Sequence, residues 1–81
     1  MENNLVENWQ YYSFVKNSRF YTINLEKDLY ENWVITLING SIVTKMKRIR
    51  HKKCDDYETA LNEVKELIAY RVNKRRYTKI R

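Results

Sequence analysis

Eighty-one residues, 43% of them aliphatic or aromatic, make one small domain, 1–81, with a modest core and too many apolar side chains for a disordered tail. No apolar run approaches the roughly 18 residues that cross a bilayer. Met1-Glu2-Asn3-Asn4 lacks the basic and apolar regions of a signal peptide, and the single cysteine, Cys54, excludes an internal disulfide and fits a reducing cytosol.

Charge divides the chain. Residues 1–40 hold three Lys/Arg against five Asp/Glu; residues 41–81 hold thirteen against five, so the net +6 comes from the second half. A pI near 9.6 with its positive charge so placed points to a polyanionic partner. A solvated, solubilising surface is the plainer use of such charge.

From Trp9 to Lys16 apolar residues alternate: Trp9, Tyr11 and Val15 share one face, Tyr12 and Phe14 the other. This predicts a strand that is apolar on both sides. Lys16-Asn17-Ser18 is turn chemistry. Arg19–Glu26 follows as a second strand, with Phe20 and Thr22 opposite Tyr21, Ile23 and Leu25, and the two make a hairpin. Lys27–Asn32 is polar around Leu29 and Tyr30 and reads as a loop. Trp33–Ile38 is rich in β-branched residues and is the clearest strand. Gly40 is the only glycine, so a backbone conformation or a close approach is expected to require it there.

Over residues 55–74 the period changes. Tyr57, Ala60, Leu61, Val64, Leu67, Ile68 and Val72 recur at three- and four-residue steps, one face of an amphipathic helix. Asp55 with Glu58 has capping-box spacing, and Asp56 is an alternative cap. Acidic residues at the front (Asp55, Asp56, Glu58) and basic ones at the back (Arg71, Lys74, Arg75, Arg76) complement the helix dipole. Tyr77–Arg81 is a short tail. The expected fold class is α+β: an antiparallel meander of about four strands packed by one long helix in the C-terminal half.

Catalytic machinery is not legible. His51 and Cys54 sit three apart, but two ligands fall short of a structural zinc site and the neighbours of His51 are cationic, so no metal site is expected. Helix capping explains Asp55 and Asp56 better than acid–base chemistry. One glycine cannot build a phosphate-cradling loop. No enzyme and no cofactor are expected.

What remains is basic. Residues 45–53 read KMKRIRHKK, with Lys45, Lys47, Arg48, Arg50, Lys52 and Lys53 making six of nine. A second cluster, Arg71, Lys74, Arg75, Arg76, Lys79 and Arg81, ends the chain. A domain this small has room for both on one surface, which spacing alone does not settle. Such patches bind nucleic acid by releasing counterions from phosphates. The one helix spends its apolar face on the core, so backbone contact is expected and base readout is not. Most of the eleven aromatics are assigned to the core, and a minority could stack unpaired bases.

Several anchors in order resemble the WGR domain, a small domain of DNA-dependent poly(ADP-ribose) polymerases and of many bacterial proteins. Arg19-Phe20-Tyr21 with Ile23 and Leu25 looks like its aromatic first anchor. Asp28-Leu29 followed by Trp33 looks like the bacterial branch's link to the central strand. Tyr57-Glu58-Thr59-Ala60-Leu61 resembles the helix start, and Lys74-Arg75-Arg76-Tyr77 the basic, tyrosine-containing end. The naming Trp-Gly-Arg motif falls on Asn39-Gly40-Ser41, so only Gly40 survives and the roles of the family's Trp and Arg do not carry over. The resemblance implies a nucleic-acid-binding scaffold, DNA before RNA, with the basic residues compensating for the missing Trp and Arg. It also implies a register in which Asn39-Gly40 lies in or at the end of a strand and the turn comes near Thr44–Lys47. Asn39-Gly40 is itself a two-residue hairpin signal, and the spacing to the helix favours the family register.

Two functions follow. The first is a non-catalytic nucleic-acid-binding module in the cytoplasm or on the nucleoid, with no membrane role. The alternative is a protein-interaction or self-assembly domain, homodimer or heteromer, on a scaffold that no longer touches nucleic acid.

Overall fold

The computed structural model describes residues 9–81; residues 1–8, and with them the expected lack of a signal peptide, lie outside the described residues. The strands are β1 (Gln10–Lys16), β2 (Arg19–Lys27), β3 (Trp33–Ser41), β4 (Lys47–Cys54) and β5 (Thr78–Lys79). The helix α1 (Tyr57–Ala69) runs on into a π-helical turn, Tyr70–Lys74. The strands form one antiparallel sheet in the order β4-β3-β2-β1-β5, a four-strand meander extended by one short strand, and α1 covers one of its faces.

Alternation decides what is buried. Phe14 on β1, Tyr21, Ile23 and Leu25 on β2, and Trp33 and Ile35 on β3 all point to the helix side, where they meet Ala60 and Val64. Tyr57, Leu67, Ile68 and Val72 flank them, as the helical period predicts. The assignment of Trp33 to packing holds: it is buried edge-on against Tyr57, ring centroids 4.9 Å apart. Gln10 ties the sheet to the helix start, donating from Nε2 to the Tyr57 hydroxyl at 3.0 Å and accepting from the Tyr12 hydroxyl. The helix cap is Asp56, not Asp55: its carboxylate accepts the Thr59 N–H at 2.7 Å, which holds its pKa below the ordinary 3.8. The 28–32 loop is built similarly. Asp28 Oδ1 accepts the N–H groups of Tyr30 and Asn32, each at 2.9 Å, and the Asn32 bond is the main cause of its lowered pKa.

Asn39 and Gly40 lie inside β3, paired with Tyr21 and Phe20, and no glycine has a positive φ. The hairpin register is therefore excluded, and the reversal falls at residues 42–46, close to where the family register places it. Gly40 is required for close approach. A Cβ there would run into the Met46 carbonyl oxygen and stand 2.9 Å from Lys47 Cα. Ser41 organises the turn: its N–H donates to Met46 O, its carbonyl accepts from Lys45 N–H, and its hydroxyl accepts from Thr44 N–H.

The tail is not a bare end. Arg75 N–H donates to Tyr70 O, Tyr77 N–H donates to Arg71 O, and Arg76 takes φ 62, which turns the chain back along β1. Tyr77 is buried against Tyr21, and Thr78–Lys79 pairs with Phe14–Val15. The apolar content of the tail is too small to announce a strand, and the pairing comes from the free edge of β1.

Candidate nucleic-acid interface

β4 is an edge strand, and every residue from Lys47 to Lys53 is exposed. Its alternation splits the basic run between two faces. Arg48, Arg50 and Lys52 pair with Asn39, Leu37 and Ile35 and point to the helix side; Lys47 and Lys53 pair with Gly40 and Val34 and point to the open side. Lys45 stands in the turn with φ 63. Lys52 is neutralised by Glu63 at 2.9 Å, and that bond raises its pKa. Lys47, Arg48, Arg50 and Lys53 have no carboxylate partner among the described residues.

The helix starts over Trp33 and Cys54 and ends over Tyr21, so the helix-side face beyond it carries a row of cations. One register line crosses all five strands as Arg48, Asn39, Tyr21, Phe14, Lys79, and the next line holds Ser41, Arg19 and Lys16. Arg71 lays its guanidinium 3.7 Å above the Tyr21 ring and 5.4 Å from that of Tyr77, bringing a further positive charge to the middle of this row. Its buried Nε has no hydrogen-bond partner among the described residues.

Between the turns and this row lies an open cleft of about 440 Å³. Arg19, Lys47 and Arg48 line it with Asn39, Gly40, Ser41, Thr44 and Met46, and among the described residues no carboxylate does. The helix-side guanidinium groups of Arg19 and Arg48 beside hydroxyl and amide groups suit an anion's oxygens, and Lys47 lines the cleft from the strand whose alternation sends its side chain to the open side. The degenerate motif Asn39-Gly40-Ser41 thus meets the basic run at one place. Arg19 belongs to this cleft and Lys16 to the same end of the sheet, and neither was assigned from sequence. Their signal is strand parity: Arg19 is in step with Tyr21, Ile23 and Leu25.

Arg71 and Lys79 of the second cluster share the helix-side row with Arg48 of the first, but its other members do not join it. Lys74, Arg75 and Arg76 precede Tyr77 and β5, on the edge opposite β4, across four strand spacings or roughly 19 Å. The chain's path explains this: α1 crosses the sheet from β4 toward β1 before the basic end is reached. Arg19 and Lys16, on β2 and β1, lie between Arg48 on the β4 edge and Lys79 on the β5 edge.

His51 and Cys54 fall on opposite faces of β4 and cannot share a ligand. His51 Nδ1 lies 3.1 Å from Thr36 Oγ1 on the open face, whereas Cys54 is buried with Trp33. Burial pushes the Cys54 thiol pKa up, which makes it a poor nucleophile. Among the described residues no group of three or more His, Cys, Asp or Glu could hold a metal ion, and no helix is long and apolar enough to cross a membrane.

Compared with family models, with curated proteins and with solved structures, the chain matches none.

Proposed function

We propose that this domain is a non-catalytic, cofactor-free nucleic-acid-binding module that grips the phosphate backbone without reading base sequence. The observation that carries the reading is the cleft lined by Arg19, Lys47 and Arg48 with no carboxylate among the described residues, continuous with edge strand β4, where Lys52 pairs with Glu63 and Arg50 and Lys53 have no carboxylate partner among the described residues. Charged side chains on an edge strand also deter edge-to-edge pairing. That use needs only one or two charges, and it does not account for Arg19 on β2 or Arg71 over Tyr21.

The WGR resemblance supports the same reading. Asn39 and Ser41 stand where that family has Trp and Arg, and Ser41 is occupied in holding the turn. Binding then rests on the cations around the motif, with Lys45, Arg50, Lys52 and Lys53 extending it along β4, and Lys74, Arg75 and Arg76 forming a secondary contact on the far edge. DNA is favoured over RNA, in the cytoplasm or on the nucleoid.

The test is fluorescence anisotropy with single-stranded, blunt and nicked duplex DNA across a salt series. Affinity should fall steeply as salt rises. Arg48→Glu with Arg50→Glu should weaken binding to every sequence and reduce the log–log salt slope by about 2, one for each phosphate no longer neutralised. Unchanged binding by that double variant would show the interface to be misplaced.

A further inference from the structure

The sheet face that α1 leaves uncovered meets the backbone interface only at its β4 edge, through Lys47 and Lys53, and the rest of it carries other chemistry. Tyr11 on β1 and Phe20 on β2 point to this side, since their neighbours Tyr12 and Tyr21 point to the helix. Tyr11 is 44% exposed and Phe20 half-buried, and Trp9, in step with Tyr11 at the head of β1, is also 44% exposed. From strand rise and spacing, Tyr11 and Phe20 stand about 14 Å apart, room for more than one stacked base. Ser13, Thr22 and Asn24 place hydrogen-bonding side chains between and beside them, Thr36 is paired with His51, and Val15, Val34, Ile38 and Ile49 fill the apolar remainder of the same face. Cations rim it, with Lys47 and Lys53 on the β4 edge and the Arg81 guanidinium 5.5 Å from the Tyr11 ring on the other. Glu26 is the one carboxylate among its strand positions.

We infer that this open face binds single-stranded nucleic acid by stacking unpaired bases on Tyr11 and Phe20. The inference rests on the nucleic-acid reading above and adds to it a ligand class and a second surface. Charge chooses the occupant. A second copy docked face to face would set Lys47, Lys53 and Arg81 against a rim of the same sign, with one carboxylate per copy to offset them. It would also strip water from the hydroxyls of Ser13 and Thr22 and the amide of Asn24. A single strand offers base faces to the rings, base edges to the hydroxyls and amides, and phosphates to the rim. Stacking tolerates any base, so it adds affinity without sequence readout.

The experiment compares a short oligothymidylate with an abasic strand of equal length, which keeps the phosphates and lacks the bases, and with blunt duplex as a control. The wild-type protein should bind the base-bearing strand about tenfold more tightly than the abasic one. Tyr11→Ala should remove most of that preference and leave duplex binding unchanged, and Tyr11→Phe should restore it. Because Tyr11 lies outside the core, the Ala variant should keep the wild-type circular dichroism. Equal affinity for the two strands, with steep salt dependence intact, would overturn the stacking surface and leave the backbone interface standing. No binding of any strand or duplex at low salt would remove both. A dimer in sedimentation that Tyr11→Ala dissolves would assign the face to a second copy and overturn the proposal.

Discussion

The two ends of this sheet are built on opposite principles. At one end Trp33, Tyr57, Gln10, Cys54 and the Asp56 cap lock sheet to helix through edge-on aromatic packing and hydrogen bonds. At the other the strands outrun the helix, Gly40 lets β3 and β4 close together, and Arg19, Arg48 and Lys47 surround a cleft. The first end spends its side chains on one another. The second leaves Arg19, Lys47 and Arg48 without a carboxylate partner among the described residues. The fold is held at one end and presents its chemistry at the other.

The largest effect expected belongs to the packed end. Trp33→Ala removes a buried ring and its packing on Tyr57, costing about 3–5 kcal/mol. A domain of this size is stable by roughly 4–12 kcal/mol, so thermal unfolding should show a greatly lowered midpoint or no folded baseline. Gly40→Ala tests whether the open end has any fixed geometry. Its Cβ would meet backbone rather than a movable side chain, so the turn must shift, at about 1–3 kcal/mol. Anion binding in the cleft should weaken with it. Wild-type stability in that variant would mean the close approach of Gly40 and Met46 is not maintained in solution. Lys45→Gly should work the other way, gaining up to about 1 kcal/mol by relieving φ 63 while removing one charge, so stability and nucleic-acid affinity should move in opposite directions.

Much of the packed end was legible in the sequence because its signals are local and periodic. Alternation gave β1 to β3 and the buried set Tyr21, Ile23, Leu25, and the helical period gave Ala60 and Val64. The open end was less so. The basic run KMKRIRHKK falls on β4, and composition alone does not say that its alternation divides the charges between two faces. Arg19 was assigned only to a strand, since its partnership with Ser41 is a matter of register between segments. The Asn39-Gly40 pair carries a strong hairpin signal that tertiary pairing overrides, because both residues are needed to continue β3 against β2. The separation of the two basic clusters depends on the path of α1 across the sheet, which periodicity does not encode. β5 was missed for the same reason: its strand character is supplied by β1.

Acid provides the finest test of the contrast, because the carboxylates whose pKa values the fold lowers lie together. Asp56 is held below its ordinary value by the Thr59 N–H, and Asp28, whose loop joins β2 to the start of Trp33's strand, by the N–H groups of Asn32 and Tyr30. A carboxyl with a lowered folded-state pKa binds protons less readily than in the unfolded chain. Its contribution is therefore complete above the unfolded value near 3.8 and is lost as pH falls through the lower folded value. Lowering pH from 5 toward 2 should loosen the packed end first. Amide exchange, corrected for intrinsic rate, should quicken at Thr59, Tyr30 and Asn32 while Ser41 and Ile42 keep their protection. Those two donate to the backbone carbonyls of Met46 and Ser18, which do not titrate in this range. In Asp28→Asn with Asp56→Asn the difference between the ends should shrink by a small but measurable amount. Equal quickening at both ends of the wild-type protein would mean that the sheet opens as one unit, and that the division between a structural end and a binding end is one of side-chain chemistry alone.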